Sequence, residues 1–218
     1  ERLCNELCSL RPNEDKLCMS VVVEMDQQAK VVRHKICRTV IRSDYRLAYG
    51  DAQDILDTPV MIGEHRLLSD ALGVLNRLAH VLRSKRFEYG AINFETPEVR
   101  FLLDDAGNPT DVVFHRATDA NHLIEEFMLL ANRIVAAEIG KMPATKIEKA
   151  EPKPFVYRVH DVPDPEKIVK LGNFIRQFGY HLRASSKRSV QNKHINQLLD
   201  SCHGTNNQTL IETLTIRS

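Results

Sequence analysis

The chain has 218 residues, of which 43% are hydrophobic and 27% are charged. Its 30 basic and 29 acidic side chains nearly cancel, so the bulk charge neither favours nor excludes a nucleic acid partner. No apolar run reaches the roughly 18 residues that a membrane-spanning helix requires, so no span and no membrane partner are predicted.

The cysteines are five in number, which is odd, and none of them belongs to a C-x-x-C pair. This usage is typical of reduced thiols in a cytosolic protein and not of a disulfide framework. The nine histidines are scattered without the spacing of metal ligands. We therefore expect a cytoplasmic protein in which neither cysteines nor histidines form a metal site.

The N-terminal half begins with a predicted β-hairpin. Residues 17–26 are rich in β-branched residues and predict a strand, and the turn "DQQAK" separates that segment from a second strand over 31–43. A short helix over 49–57 follows. The next helix, over 64–86, carries its leucines and alanines on one stripe at spacings of three and four residues. Its basic end, with Arg83, is interpreted as cations favoured near a helix C-terminus.

The middle of the chain, 90–117, predicts three strands, and the first of them carries Ile92 and Phe94 on one side. The turn "DDAGNP" joins the other two, and its Gly107 can adopt a positive φ. A second long helix follows over 118–140. Its predicted buried stripe consists of Ile124, Phe127, Met128, Ala131, Ile134 and Val135.

The C-terminal part begins with a charged, proline-interrupted segment, 141–154, which predicts a flexible loop. "FVYRVHD" (155–161) predicts a short strand buried on both sides, and three helices follow it. The fold class expected for the chain is α/β (α+β), with a mixed, largely antiparallel sheet packed with long helices in one domain over 1–218.

No common nucleotide-binding, hydrolase or zinc-protease motif is present, and no acidic cluster resembles a two-metal site. Glu125 and Asn132 are seven residues apart, so they share one face of the second long helix. This face is either an ordinary polar flank or the polar wall of a substrate channel. His160 is more often a hydrogen-bonded structural group than a ligand at such a strand end.

Several segments, taken in order, resemble the ribonuclease II / ribonuclease R family, and most of all the bacterial ribonuclease R type. They are "ELCSLRPNEDKL", "CRTVIRSDYRLAY", "GAINFETPEVRFLLD", "LIEEFMLLANR", "FVYRVHD" and a terminal "IRS". The resemblance covers essentially the whole chain. Its most specific part is "LIEEFMLLANR" followed, about 25 residues later, by "YRVHD".

The resemblance implies a processive 3′-to-5′ exoribonuclease that hydrolyses single-stranded RNA to nucleoside 5′-monophosphates. The catalytic domain of such an enzyme, called RNB, threads the RNA 3′ end into a channel and uses Mg²⁺ held by clustered aspartates. An aromatic pair sandwiches the terminal bases.

The matching motifs also imply site residues. They assign base stacking to Phe94, for which a core position in a strand is the alternative. They assign the RNA contact near the scissile end to Glu125, with Glu126 as a less favoured choice and Asn132 as a helper. Arg158 and His160 belong to a family signature and are carried as RNA-binding candidates without a defined role; the list of candidates is Phe94, Glu125, Asn132, Arg158 and His160.

The family's aspartate run, DxxxxxDxDD, and its "TSPIRR" arginine segment do not occur in the 218 residues. We therefore expect a partial RNB domain that is inactive alone, binds no metal itself and self-associates through exposed edges. The alternatives are a non-catalytic RNA-binding or regulatory module derived from the same domain, and a pure scaffold.

Overall fold

The structure is a computed structural model, and it describes residues 2–59, 63, 65–92, 94, 98–140, 154–159, 162–182 and 192–218. Helices and short antiparallel sheets occur together in these residues, which confirms the predicted fold class. The chain divides into two compact units. The first comprises Glu1–Arg83 with Thr118–Tyr157, and the second comprises Ser84–Ala117 with Arg158–Ser218.

The first unit contains the predicted N-terminal hairpin. Its strands are β1 (Asp15–Met25) and β2 (Val31–Arg42), and they pair antiparallel. The carboxylate of Asp26 accepts hydrogen bonds from the backbone N–H groups of Gln28, at 3.0 Å, and Lys30, at 2.9 Å. An aspartate that bonds the backbone just beyond itself favours a turn, so the local sequence fixes this reversal.

Three helices accompany the hairpin: α1 (Tyr49–Asp57), α2 (Arg66–Glu88) and α3 (Asp119–Gly140). All three agree with the predicted helices to within two residues at either end. The side-chain carbonyl of Gln53 in α1 accepts a hydrogen bond from the backbone N–H of Ala120 at 3.1 Å. This bond satisfies one of the free N–H groups at the start of α3 and ties the two helices together.

The buried face of α3 differs from the predicted stripe. Ile124 and Met128 are 43% and 60% exposed. The buried residues of this helix are Ala120, Leu123, Glu126 and Ile134. Ile134 is buried as predicted, but the buried face as a whole is turned by about one residue, or about 100°, from the predicted stripe. The prediction was wrong because it kept every charged side chain out of the core, whereas Glu126 lies within it.

The second unit contains a short hairpin of β3 (Glu98–Leu103) and β4 (Pro109–His115), paired antiparallel. Its turn confirms the prediction, since Gly107 has a φ of +84°. The carboxylate of Asp104 accepts the backbone N–H of Asn108 at 2.8 Å. The hydrogen bonds from the backbone and side chain of Asn108 lower the pKa of Asp104.

Three further helices complete the second unit: α4 (Pro165–Arg176), α5 (Asn192–Cys202) and α6 (Gln208–Ile216). They bury a common core of Leu171, Ile175, Leu198, Cys202 and Ile211. Burial also raises the pKa of the Cys202 thiol, as expected for a structural cysteine. Among the helices that the structure describes, none is long and apolar enough to cross a membrane.

Two expectations for the segment between α3 and α4 have different outcomes. Most of the predicted flexible loop, 141–153, lies outside the described residues, so that prediction stays open. The predicted buried strand is wrong over 155–159, the part of it that the structure describes: these residues have no regular structure, and Val156 and Val159 are 91% and 85% exposed. The rings of Phe155 and Tyr157 instead pack edge to face, 5.1 Å apart.

Candidate functional site

The two adjacent carboxylates of α3 have opposite environments. The side chain of Glu125 is 44% exposed, whereas the side chain of Glu126 is fully buried. Nη1 of Arg83 in α2 donates a hydrogen bond to Oε2 of Glu125 at 3.3 Å and lies 3.9 Å from Oε1 of Glu126. Of this pair, Glu125 is therefore the carboxylate that a ligand can reach, and Glu126 belongs to the interior.

Arg83 makes the burial of Glu126 tolerable. A buried carboxylate costs free energy unless positive charge and hydrogen bonds compensate it. The side chain of Arg83 is only 17% exposed, so its guanidinium is held close to both acids. From the sequence alone, this arginine was interpreted as one of several cations at a helix end. The structure gives it a specific role, which is to connect α2 to the two acids of α3.

A second polar contact lies further along the same two helices. Nε2 of His80 lies 3.2 Å from Oδ2 of Asp119, and Nδ2 of Asn76 donates to the same oxygen at 3.4 Å. Asn76, His80 and Arg83 follow one another at spacings of four and three residues, so they share one face of α2. These contacts connect α2 to the first residue of α3.

Asn132 is exposed, as is Glu125, and the seven-residue spacing places both on one side of α3. Exposure agrees with a polar flank as well as with a ligand-binding wall. A contact between either residue and RNA therefore stays a prediction.

Phe94 follows the C-terminus of α2 in the second unit. The helix ends at Glu88, and Gly90, two residues beyond it, has a φ of +93°. Two backbone hydrogen bonds close the end, from Gly90 N–H to the carbonyl of Phe87 at 2.9 Å and from Ala91 N–H to that of Arg86 at 3.1 Å. This is a Schellman motif, which needs glycine at the left-handed position. The ring of Phe94 is partly buried.

The strand predicted for Ile92 and Phe94 is wrong, since both residues lie outside regular secondary structure. A partly exposed ring on an irregular segment beside a helix end is compatible with base stacking, and the RNA contact itself stays a prediction. Arg158, also in the second unit, is exposed. His160 lies outside the described residues.

The candidate residues are divided between the two units. Glu125 and Asn132 belong to the first unit, and Phe94 and Arg158 belong to the second. The contacts described above for each candidate come from residues of the same unit. The predicted passage bordered by both Phe94 and Glu125 stays a prediction.

Clustered metal-ligand side chains are absent from the part of the chain that the structure describes. Within the ranges given above, no group of three or more His, Cys, Asp or Glu side chains is arranged to hold a metal ion. Mg²⁺ in enzymes is usually bound through carboxylates, waters and substrate phosphates.

The chain is similar to known proteins over nearly its whole length. Residues 1–218 match the family model of the RNB domain. The chain is 34% identical over 218 residues to Ribonuclease R of Thermotoga maritima, covering 100% of this chain and 29% of that protein. It is 34% identical over 234 residues to DIS3-like exonuclease 2 of Caenorhabditis elegans, covering 99% of this chain and 26% of that protein.

A solved structure of Mycoplasma genitalium RNase R in complex with ribose methylated single-stranded RNA has a similar fold. The TM-score is 0.81 at 21% sequence identity, and the likeness covers 100% of this chain and 32% of that one. The chain thus spans less than a third of the length of each of these three proteins.

Proposed function

The chain belongs to the RNB domain family, and from this premise we propose that it is an RNA-binding part of the catalytic domain of a 3′-to-5′ exoribonuclease. The match over residues 1–218 confirms the resemblance inferred from the sequence motifs. Relatives named Ribonuclease R and DIS3-like exonuclease 2 support a nuclease as the parent protein. The proposed parent is a cytoplasmic, processive hydrolase that uses Mg²⁺ and releases nucleoside 5′-monophosphates.

The proposed substrate is the 3′ end of single-stranded RNA. In support, the similar Mycoplasma genitalium RNase R structure contains single-stranded RNA. Glu125 accepts hydrogen bonds from the RNA near the scissile end with the help of Asn132, and Phe94 stacks on a base. Arg158 and His160 supply further RNA contacts.

The observation that carries the assignment of Glu125 is its contrast with Glu126. The sequence offers two neighbouring acids, and only the first of them has a side chain open to solvent. The Arg83 contact at 3.3 Å restrains that open carboxylate before any ligand arrives. A restrained group loses less conformational entropy on binding, so Glu125 is suited to a recognition role.

Nuclease assays test the proposal. The 218-residue chain and the longer parent protein are incubated separately with 5′-labelled single-stranded RNA and Mg²⁺. We expect the parent to shorten the RNA from its 3′ end to mononucleotides and the 218-residue chain to leave it intact, because the family's aspartate run is not among its residues. Mononucleotide release by the chain alone would contradict its proposed inactivity.

A parent protein that binds RNA without shortening it would instead favour a non-catalytic RNA-binding module. In that case the stacking and hydrogen-bonding roles of Phe94 and Glu125 could persist without hydrolysis. The same assay, read once for binding by a gel shift and once for product length, separates the two functions.

Self-association of the isolated chain is part of the proposal. Leu17 lies opposite Val40 in the β1–β2 hairpin, and the two side chains are 89% and 62% exposed. Met19, which lies on the same face, is 68% exposed. We expect light scattering to report oligomers whose average mass falls when Leu17 is replaced by Lys. A strictly monomeric wild-type chain at all concentrations would contradict this part of the proposal.

A further inference from the structure

Two amide side chains of α5 hold the backbone that precedes Phe94. Nδ2 of Asn192 donates to the carbonyl of Gly90 at 2.8 Å, and Nδ2 of Asn196 donates to the carbonyl of Ala91 at 2.9 Å. The two asparagines are four residues apart, so they lie one above the other on the same face of the helix. They therefore reach two consecutive carbonyls from one rigid element.

The same two backbone positions are held from a second direction by the end of α2. The N–H groups of Gly90 and Ala91 bond back to the carbonyls of the last helical turn, in the Schellman motif described above. Both N–H groups and both carbonyls of these residues thus have partners. Hydrogen bonds from α2 and α5 therefore hold the backbone of Gly90 and Ala91, from which the chain continues to Phe94.

We propose that Asn192 and Asn196 are positioning residues for RNA binding, which act by setting how the chain presents Phe94 to a base. The inference rests on the proposed function, in which Phe94 stacks on RNA, and it adds α5 to the elements that control this contact. A ring contributes most to binding when the protein has already ordered it, because ordering on binding costs free energy. The amides supply that order through bonds to the backbone and leave the ring itself free to stack.

The local sequence carries no sign of this arrangement. The asparagines lie 102 and 105 residues from the carbonyls that they bind. Asparagine in a helix also has an ordinary interpretation, as an exposed polar residue. The proposal therefore needs a test that separates positioning of Phe94 from general stabilisation of the second unit.

The test compares Asn192→Ala, Asn196→Ala, the double variant and Phe94→Ala in the 218-residue chain. Gln197→Ala is the matched control, since Gln197 is an exposed amide on the same helix. The probe is single-stranded oligoadenylate with 2-aminopurine at its 3′ end, because stacking quenches the fluorescence of that base. Titration gives the Kd, and the quench at saturation reports stacking directly.

We expect Phe94→Ala to weaken binding about tenfold and to abolish the quench. The double asparagine variant should weaken binding about fivefold and reduce the quench, while Gln197→Ala changes neither. Added to Phe94→Ala, the double variant should cause little further loss, because both changes act on one contact. Independent losses that multiply would overturn the proposal.

Amide hydrogen exchange provides a readout that does not depend on RNA. In the double variant, exchange should accelerate at Ala91, Ile92 and Phe94 and remain unchanged in the β3–β4 hairpin. Acceleration throughout the second unit, together with a lower melting temperature, would mean that the amides stabilise the unit as a whole, and the proposal would be wrong.

The failures of the two proposals are distinguishable. If Phe94→Ala weakens RNA binding and the double variant changes neither affinity nor quench, the positioning role is wrong and the stacking role stands. If Phe94→Ala leaves affinity and quench unchanged, the stacking role in the proposed function is wrong, and the positioning role in RNA binding is wrong with it.

Discussion

The two regions that carry the candidate RNA contacts are held by different kinds of interaction. Glu125 is restrained by charge, through Arg83 at 3.3 Å. The backbone before Phe94 is restrained by neutral bonds, from Asn192 at 2.8 Å and Asn196 at 2.9 Å. Salt screens exposed ion pairs but has little effect on amide–carbonyl bonds. The two contacts should therefore respond to different perturbations.

The largest effect is expected where charge is buried. Arg83→Met removes the guanidinium that lies beside both acids of α3, so the buried carboxylate of Glu126 loses a compensating charge. We expect the free energy of unfolding to fall by about 2 kcal/mol, as measured by urea denaturation. Arg77→Met, at an exposed position of the same helix, is the control and should change it by less than about 0.5 kcal/mol.

A second substitution sharpens the same prediction. Replacing a buried ion pair by apolar side chains is often neutral, so Glu126→Leu added to Arg83→Met should recover much of the lost stability. Equal losses for Arg83→Met and Arg77→Met, or no recovery in the double variant, would show that charge does not hold this region.

The next largest effect is expected at Phe94, whose preceding backbone is held by uncharged amide–carbonyl bonds. Phe94→Ala should raise the Kd for single-stranded oligoadenylate about tenfold, because stacking on one aromatic ring contributes roughly 1–3 kcal/mol. The ratio of variant to wild-type Kd, measured by fluorescence anisotropy, should be the same at low and high salt, since stacking involves no net charge. Phe101→Ala is the control, as its ring is 62% exposed on β3. A tenfold loss for both would point to general loss of binding surface.

A smaller effect on stability is expected at the exposed acid. Glu125→Gln should change the free energy of unfolding by less than about 0.5 kcal/mol, because the Arg83–Glu125 pair is partly solvated. The same substitution in the longer parent should nevertheless slow RNA shortening, since Glu125 is proposed to contact the substrate. Glu126→Gln is the matched control and should destabilise the chain more. The reverse order in urea denaturation would mean that the two environments were assigned the wrong way round.

The smallest effect is expected at the β3–β4 turn. Hydrogen bonds, first of all from the backbone N–H of Asn108, hold the pKa of Asp104 below its ordinary value. A lowered folded-state pKa means that the unfolded chain binds the proton more tightly. The stabilisation is therefore present above the unfolded pKa of about 3.9 and is lost as the pH falls through the folded value. Asp104→Asn should flatten the decline in melting temperature between about pH 5 and pH 3, and an undiminished decline in this variant would contradict the prediction.

Local sequence signals predicted much of the fold. The hairpin turn after β1, the helix over Tyr49–Asp57 and the positive φ of Gly107 follow from turn residues and helical periodicity within short windows. The buried position of Glu126 could not be predicted in this way. Its partner Arg83 lies 43 positions earlier in the chain, so only the folded structure brings the compensating charge beside it.

The sequence named candidate site residues through family motifs, but it did not reveal which residues hold them. Family motifs pointed to Glu125 and Phe94, and both assignments stay predictions. What holds each residue was not predictable, because the partners come from distant helices. The strand predicted around Phe94 was wrong because its apolar residues imitate a strand pattern, while the Schellman motif at Gly90 and the asparagines of α5 determine the backbone there.

The central claim is that Phe94 and Glu125 contact the same RNA end. The most direct test is photo-crosslinking of single-stranded RNA that carries 4-thiouridine as its two 3′-terminal nucleotides, with the adducts mapped by mass spectrometry. We predict adducts in the peptide that contains Phe94 and in the peptide of α3 that contains Glu125, and their loss when unlabelled RNA competes. Adducts confined to other segments of the chain would contradict the claim.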